Sequence, residues 1–221
     1  MGTELTFTPF KVYLPVSMTS TPIKTFTTQR IIESAANLFL TRGFGSVSMD
    51  TIAATAKITK VTVYQHFNSK EDLFLQCLRW RLKTREEQLD ARCTRKLDSA
   101  AQILEVFDWM AEKASRGDFY GCAFLKATNE MACTLPEVRA IALESKNLLR
   151  GRMVASLREA GLQDANAMGH TFALLLEGAQ ALSVIEQSQR PFKAAKREVR
   201  HHLERNLSTR PIPSGSSHGE N

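Results

Sequence analysis

Apolar residues recur with helical spacing near the start of the chain, at i, i+4, i+7 and i+8. This stripe comprises Ile31, Ala35, Leu38 and Phe39. Thr27 is placed to cap the start of a helix, and Gly43 to end it in a left-handed conformation. The pattern therefore predicts a first helix between Thr27 and Gly43, with one buried face.

Two short helices are predicted next. Ser48 caps a second helix that stops near Lys57, and a third helix runs from Thr59 to about Phe67. Helices of two turns are barely stable alone, so this pair must be held together by packing against neighbouring elements. Two short helices joined by a tight turn are typical of a helix-turn-helix. Residues 59–66 would then be the helix that enters the major groove of DNA.

Longer helices account for most of the remaining chain. Ser69 with Asp72 resembles a capping box and opens a long fourth helix toward Leu89. Further amphipathic or largely apolar helices are predicted over 99–115, 119–132, 136–160, 164–188 and 192–208. The expected fold is all-α, with an N-terminal three-helix helix-turn-helix domain joined by the long fourth helix to a C-terminal helical domain.

The domain boundaries follow from the same pattern. Residues 1–26 are rich in Pro, Thr and Ser without a sustained period, which predicts a flexible arm, and Met18 is an alternative start of translation. Residues 27–75 form the predicted helix-turn-helix domain and residues 76–208 a second, helical domain. Residues 209–221 are predicted to be a disordered tail.

The composition excludes several other classes. With 43% hydrophobic and 24% charged residues among 221, the chain resembles an ordinary globular protein. The longest apolar run is too short to cross a bilayer, and the first thirty residues lack a signal-peptide pattern, so a cytoplasmic protein without a membrane partner is expected. The four cysteines show no CxxC and no nearby His pair. We therefore expect reduced thiols, and no metal or cofactor.

The net charge of +6 is unevenly distributed along the chain. Most of the basic excess lies in residues 24–98, whereas residues 99–221 are close to neutral. A basic module joined to a nearly neutral one suits a protein that meets phosphate at one end. Ordinary solubility charge is the alternative explanation, and charge alone does not decide between them.

The stretch RIIESAANLFLTRGFGSVSMDTIAATAKITKVTVYQHFNSKEDLF resembles the DNA-binding domain of the TetR/AcrR family of transcriptional regulators. The resemblance implies a homodimeric repressor that binds an inverted-repeat operator in double-stranded DNA. It also implies that residues 76–208 are a ligand-binding and dimerisation domain, in which a small-molecule inducer binds and so releases the DNA. One position departs from the family pattern, since Lys57 stands where members usually carry Gly. Lys can adopt the left-handed conformation at a cost of about 1 kcal/mol.

Several residues of the predicted reading helix are candidates for DNA contact. By resemblance, the Tyr64 hydroxyl binds a phosphate, whereas the alternative is a core aromatic with its tip in water. Thr59, Lys60 and Thr62 lie at the leading edge of the helix, where side chains reach phosphates and base edges. Val61 can contact a thymine methyl group. Thr59 also fits a simple N-cap.

The remaining candidates lie nearby. Lys70 stands at the start of the fourth helix, where a cation is poorly placed unless an anion is close, so a phosphate contact is expected. His66 fits a base contact, a backbone contact or plain exposure equally well. The complete DNA-contact set is Ser48, Thr59, Lys60, Val61, Thr62, Tyr64, His66 and Lys70.

Cys122 raises two alternatives to a purely ligand-controlled regulator. It is a candidate sensor thiol, although a buried cysteine on an apolar helix face is more often inert, and a disulfide with Cys133 depends on geometry. A thiol enzyme that uses Cys122 with His170 or Glu130 is a further alternative. That enzyme leaves the basic helix-turn-helix unexplained.

The C-terminal helices supply the candidates for the ligand pocket and the dimer interface. Candidate pocket residues are Phe107, Met110, Cys122, Phe124, Phe172 and Leu176. Helices 164–188 and 192–208 are expected to form a four-helix bundle with those of a second subunit, because small residues there permit close approach. Candidate interface residues are Leu175, Gly178, Ala179, Leu182 and Leu203. The alternative for the first of these helices is a core helix of the monomer.

Overall fold

The computed structural model describes residues 22–93 and 97–208, and every regular element in these two ranges is an α-helix. The helices are α1 Pro22–Arg42, α2 Met49–Thr55, α3 Lys60–His66, α4 Lys70–Arg92, α5 Ser99–Ser115, α6 Ala123–Met131, α7 Glu137–Glu159, α8 Ala165–Glu186 and α9 Arg190–Ser208. This order confirms the predicted all-α fold. None of the described helices is long and apolar enough to cross a membrane.

Helices α1 to α3 pack around the first half of α4 to form the head of the molecule. Phe39, Phe44 and Phe74 build an aromatic cluster there, with the Phe74 ring centroid 5.0 Å from Phe39 and 4.9 Å from Phe44. Edge-to-face contacts at these distances add to the stability that burial provides. Val63 of α3 and Leu73 of α4 have no exposed surface. The short helices are therefore held by tertiary packing.

Ser48, Thr59 and Ser69 cap the starts of α2, α3 and α4, as the sequence predicts. Each side-chain oxygen accepts a hydrogen bond of 3.1 Å from the backbone N–H three residues further along the chain. An N-cap of this kind satisfies one of the amide groups that the first turn leaves unpaired. The local signals thus fix where each helix of the head begins.

Helix α1 starts earlier than the sequence analysis expects. It begins at Pro22, so residues 22–26 belong to a helix rather than to the predicted arm. Proline is compatible with the first turn because that turn leaves its amide positions without intrahelical partners. The rest of the arm, residues 1–21, and the predicted tail after Ser208 lie outside the described residues.

Helix α6 is shorter than the predicted range of 119–132. Gly121 has φ +78, which ends any helical continuation on that side, and Cys122 takes the N-cap position. A Cβ atom on Gly121 would lie 2.9 Å from Cγ2 of Val184, so the backbone approaches α8 closely at this point. Helix α9 starts at Arg190, two residues before the predicted range of 192–208, so Pro191 lies in its first turn.

A second core fills the C-terminal part, where α5, α7, α8 and α9 pack together. Phe107, Phe172 and Phe192 are almost completely buried in it. The core of the head extends beyond the helix-turn-helix, since Phe124 of α6 and Val138 of α7 belong to the same cluster as Phe39 and Phe74. Helices α6 and α7 therefore pack directly against the head.

The turn between α2 and α3 has the geometry of a Schellman motif. The Ile58 N–H bonds the Ala53 carbonyl at 3.0 Å, and the Lys57 N–H bonds the Ala54 carbonyl at 3.1 Å. Lys57 has φ +54, the left-handed conformation that the sequence analysis anticipates. Arg30 Nη2 supports the turn by donating to the Ala56 carbonyl at 2.7 Å. These bonds hold a non-glycine residue in a conformation that favours glycine.

We expect Lys57→Gly to be more stable than Lys57→Ala by about 1 kcal/mol, because only glycine avoids the clash of a Cβ atom at positive φ. Chemical denaturation of the two variants measures this difference. Both substitutions remove the same charge, so the comparison isolates the backbone. Equal free energies of unfolding would show that the turn is not strained.

Candidate nucleic-acid interface and ligand cavity

Helix α3 presents one face to the protein and one to solvent. Val63 and Phe67 are buried in the head, whereas Val61 is 67% and Tyr64 50% exposed. Half of the surface of Tyr64 is thus accessible, and its phosphate contact stays a prediction. Gln65 is also exposed on this helix, and sequence reasoning missed it because glutamine carries no distinctive signal. The outward face thus combines an aliphatic group, a phenol and an amide.

The leading edge of α3 carries the remaining polar candidates. The Thr59 hydroxyl both caps α3 and lies 2.8 Å from the Thr62 hydroxyl. Lys60 Nζ lies 2.7 Å from Oδ2 of Asp50, which joins α3 to α2. The hydrogen bond that Lys60 donates to the Asp50 carboxylate raises the pKa of Lys60, so this side chain stays cationic. Ser48 is exposed at the start of α2.

The structure places His66 and Lys70 differently from the other candidates. His66 Nδ1 lies 2.8 Å from the Thr28 hydroxyl, so the half-buried imidazole packs against α1 rather than on the outward face. Lys70 Nζ lies 4.1 Å from the ring centroid of Phe44, in a cation–π contact. Its phosphate contact stays a prediction.

A half-open cavity of about 330 Å³ lies between α4, α5 and α6, and α1 and α8 contribute Leu40 and Gln180 to its lining. Met110 and Phe124 of the predicted pocket set line it. Phe107, Phe172 and Leu176 do not, because they are buried in the C-terminal core. The sequence identified these apolar side chains correctly as interior, but helical spacing does not distinguish a cavity wall from a filled core.

Cys122 lies in a neighbouring groove between α6 and α8, not in this cavity. Its Sγ accepts a hydrogen bond from Lys146 Nζ at 3.2 Å, and Lys146 also pairs with Glu177 at 2.5 Å. Neither partner proposed for a thiol enzyme reaches the sulfur: His170 lies 3.5 Å from Arg150, and Glu130 bonds a backbone amide. Cys122 and Cys133 are both free thiols.

The predicted dimer residues separate into two groups on α8 and α9. Gly178 and Leu182 are exposed, and Leu175 is half-buried. Ala179 and Leu203 are 5% and 2% exposed and belong to the core of the protomer. Their burial leaves them no free surface for a subunit interface, because α8 and α9 use these faces to pack against each other and against α7 and α5 of their own chain.

Three hydrogen bonds connect the C-terminal end of α1 to α4 and α6. Arg81 Nη2 donates to the Ala36 carbonyl at 2.7 Å, and Lys126 Nζ donates to the Leu40 carbonyl at 2.7 Å. Glu130 Oε2 accepts the Phe44 N–H at 2.6 Å. Sequence reasoning missed these links because their partners are backbone atoms, which leave no residue-type signal.

The fold and the outward face of α3 define a helix-turn-helix DNA-binding regulator. Two family profiles agree with this class. Residues 31–77 match the profile of bacterial regulatory proteins of the tetR family, and residues 99–198 match the C-terminal domain of LmrA/YxaF-like transcriptional regulators. The chain belongs to the TetR/AcrR family of transcriptional regulators.

Individual relatives agree with this assignment. The Transposon Tn10 TetC protein of Escherichia coli is 36% identical over 72 residues, which cover 33% of this chain and 34% of that protein. The HTH-type transcriptional regulator AcrR of Shigella flexneri is 26% identical over 164 residues, covering 69% and 74%. The chain thus aligns with only about a third of the length of TetC. The activity and partners of TetC are therefore not assigned to this chain.

Solved structures show the same fold. SCO4454, a TetR-family transcriptional regulator from Streptomyces coelicolor, superposes with a TM-score of 0.76 at 24% identity, covering 83% of this chain and 97% of that one. A TetR transcriptional regulator from Chloroflexus aurantiacus gives 0.75 at 20% identity, covering 84% and 98%. At these identities the likeness concerns the fold alone.

We expect Asp50→Asn to tighten binding to duplex DNA of any sequence. The substitution removes an anion from the DNA-facing edge and frees the ammonium of Lys60, so the slope of affinity against salt concentration should steepen by about one unit. Fluorescence anisotropy over a range of salt concentrations measures both effects. Glu198→Gln makes the same charge change on α9 and should leave DNA binding unchanged. Equal effects of the two substitutions would contradict this role for Asp50.

Proposed function

We propose that the protein is a ligand-responsive repressor, which binds an inverted-repeat operator as a homodimer and releases it when a small molecule occupies the cavity. The observation that carries this proposal is the position of the cavity. Arg81 of its wall bonds the end of α1, and α6, which supplies Phe124 to the wall, bonds the same segment through Lys126 and Glu130.

The DNA-reading surface of the proposal is the outward face of α3. Val61 and Tyr64 project from it, and Thr59, Lys60 and Thr62 form its leading edge. A helix-turn-helix inserts the N-terminal part of its second helix into the major groove, where threonine, lysine and methyl groups reach base edges. Operator DNA lies in the cytoplasm of a bacterium, so the cytoplasm is the proposed site of action.

The exposed side of α8 supports the proposed dimer. Leu174 is 62%, Leu182 48% and Ile185 78% exposed, and exposed Gly178 lies between the leucines. These positions follow one another at i, i+4, i+8 and i+11, which places them on a single helix face. An apolar face of this length on the surface is typical of an interaction site. The interface proposed here is therefore the outer face of α8, without Ala179 and Leu203.

Release of DNA follows from a change in the relative position of the head and the cavity. A dimer that reads two half-sites must hold its reading helices about one DNA turn, ~34 Å, apart or at a multiple of that distance. A ligand shifts such an equilibrium only when it binds one arrangement better than the other. A tilt of α4 or α6 on ligand binding moves the end of α1, and the head with it.

We do not extend the proposal to a thiol sensor at Cys122. The Lys146 ammonium lies 3.2 Å from the sulfur. Cys122 is only 7% exposed, and the thiol N-caps α6 by accepting from the Leu125 N–H at 3.5 Å. Limited access opposes oxidation, and capping explains the residue structurally.

Selection of bound duplexes from fragmented genomic or random DNA tests the proposed function. We expect an inverted repeat whose half-sites are about one helical turn apart, with two chains per duplex by sedimentation. Selection of a single half-site that is bound by one chain would contradict the proposed homodimer.

Substitutions on α3 should separate affinity from sequence preference. Tyr64→Phe removes a phosphate-bonding hydroxyl and should weaken binding to all duplexes by a similar factor, on the order of tenfold. Thr62→Ala should instead change which base is preferred, because Thr62 lies at the groove-facing edge. Binding assays against a panel of operators with single base-pair changes distinguish the two effects. A change of preference in Tyr64→Phe at unaltered affinity would contradict the assignment.

A further inference from the structure

We propose that the ligand of the cavity between α4, α5 and α6 is an organic acid with a flat aromatic body, whose anionic group lies among Arg81, Arg85, Lys113 and Arg116. The inference deepens the proposed function by naming the chemical class of the ligand. The residues that line the cavity support the position of the binding site independently of any role in DNA release.

The first observation is the charge of the cavity wall. Among the described lining residues, four are basic, Arg81, Arg85, Lys113 and Arg116, whereas Asp118 is the single acid. None of the four basic groups forms a salt bridge within the described part of the chain. Cations gathered without counter-ions repel one another and attract an anion.

Three of these cations donate hydrogen bonds to neutral acceptors. Arg81 donates to the Ala36 carbonyl at 2.7 Å, and Arg85 Nη1 donates to the Ser145 hydroxyl at 2.8 Å. Lys113 Nζ donates to Oε1 of Gln88 at 3.1 Å. These bonds position the side chains but leave their charge uncompensated.

Several other half-buried cations among the described residues form salt bridges. Arg92 contacts Glu105 at 2.9 Å and Glu112 at 2.7 Å, and Arg152 contacts Asp90 at 2.6 Å. A partly buried cation is normally balanced in this way because desolvation penalises an isolated charge. Half-buried Arg30 and Lys126 bond only backbone carbonyls, as Arg81 does, but the cavity wall differs from them by gathering in one place four cations that form no salt bridge among the described residues.

The pKa of Lys113 reflects the same surroundings. Burial, followed by repulsion from Arg85, Arg116, Arg81 and Arg92, lowers the pKa of Lys113 to about 8. An anion bound beside Lys113 would oppose both effects by favouring the charged amine.

Gln180 provides a second, independent sign of a missing acceptor. It lines the cavity from α8 and is 5% exposed, yet its Nε2 has no hydrogen-bond partner among the described residues. A buried amide donor without an acceptor costs on the order of 1–3 kcal/mol. An oxygen of a bound acid would satisfy it.

The apolar part of the wall indicates the body of the ligand. Trp80, Phe119, Tyr120 and Phe124 line the cavity. The guanidinium carbon of Arg85 lies 4.9 Å from the Phe124 ring centroid, so charge and aromatic surface are adjacent. A cavity of about 330 Å³ suits a small organic molecule. Aromatic walls beside a cationic region favour an aromatic acid over an inorganic anion.

Two fluorescent probes of nearly the same shape test the charge requirement. The anion 1-anilinonaphthalene-8-sulfonate and the neutral N-phenyl-1-naphthylamine differ by the sulfonate group. We expect the anion to bind at one site per chain, about tenfold or more tighter than the neutral probe. An apolar site without charge selectivity would show the reverse order, because the neutral probe is the more hydrophobic. That order, or equal affinity, would overturn the proposal.

Charge-removing variants locate the bound anion. Lys113→Gln and Arg116→Gln should each weaken binding of the sulfonate severalfold while leaving the neutral probe unaffected. Lys83→Gln removes the same charge from the outer surface of α4 and is the matched control. Arg116 is exposed and forms no salt bridge with the described residues. We therefore expect Arg116→Gln to fold even if Lys113→Gln does not. An equal loss in Lys83→Gln would overturn the assigned position.

The experiment also separates this inference from the proposed function. Probe binding is measured without DNA, and release of a selected operator duplex is measured afterwards. If the protein binds the anionic probe selectively but does not release the operator, the anion site is supported. Control of repression by that probe is then contradicted. Release that is identical for both probes would support ligand control and overturn the anion requirement.

The pH dependence of binding follows from Lys113. The described charged or titratable groups that face it are Arg81, Arg85 and Arg92 on α4, Arg116 after α5, and Asp118 and Tyr120 in the next loop. The sulfonate stays ionised, so its affinity should fall severalfold as the pH rises from about 7 to about 9 and free Lys113 loses its proton. Lys113→Gln should show a flatter profile by fluorescence titration. A wild-type profile as flat as that of the variant would contradict this role.

Discussion

The hydrogen bonds at the C-terminal end of α1 are the constraint on which the relation between the head and the rest of the molecule depends. A helix end leaves several carbonyl groups without partners, and the amide of the following residue also needs an acceptor. Here Lys126 donates to the Leu40 carbonyl in the last turn, and Glu130 accepts the Phe44 N–H beyond the helix. Arg81 adds a bond to the Ala36 carbonyl further back in α1. Because these side chains come from α4 and α6, the contacts of the head extend beyond the helix-turn-helix to these two helices.

The same arrangement explains why the cavity is placed to control DNA binding. Arg81 faces the cavity and the end of α1 at once, and Lys126 and Glu130 lie on the helix that carries Phe124 into the cavity wall. The aromatic cluster of Phe39, Phe44 and Phe74 makes the head itself a packed body. A packed body moves as a unit rather than deforming continuously, so a displacement at one end is carried to α3.

Local sequence signals predicted the head well because its helices begin and end through short-range chemistry. Ser48, Thr59 and Ser69 cap their helices as expected, and Gly43 has φ +82 at the end of α1. The interface candidates were less reliable. Ala179 is apolar, small and on α8, yet the core of its own chain covers it. Sequence periodicity identifies a buried face but not which surface covers it. Likewise, the charge of the cavity arises from residues on α4, on α5 and in the following loop, whose proximity only the tertiary fold creates.

The most direct test of the account is the thermodynamic coupling between the cavity and the DNA. A ligand that weakens DNA binding by some factor must itself bind DNA-bound protein more weakly by the same factor. We predict such reciprocal coupling, about fivefold or more, between 1-anilinonaphthalene-8-sulfonate and a selected operator duplex. We further predict that Glu130→Ala reduces this coupling while the neighbouring, exposed Asn129→Ala does not. Equal affinity of the probe for free and DNA-bound protein, or full coupling in Glu130→Ala, would contradict the account.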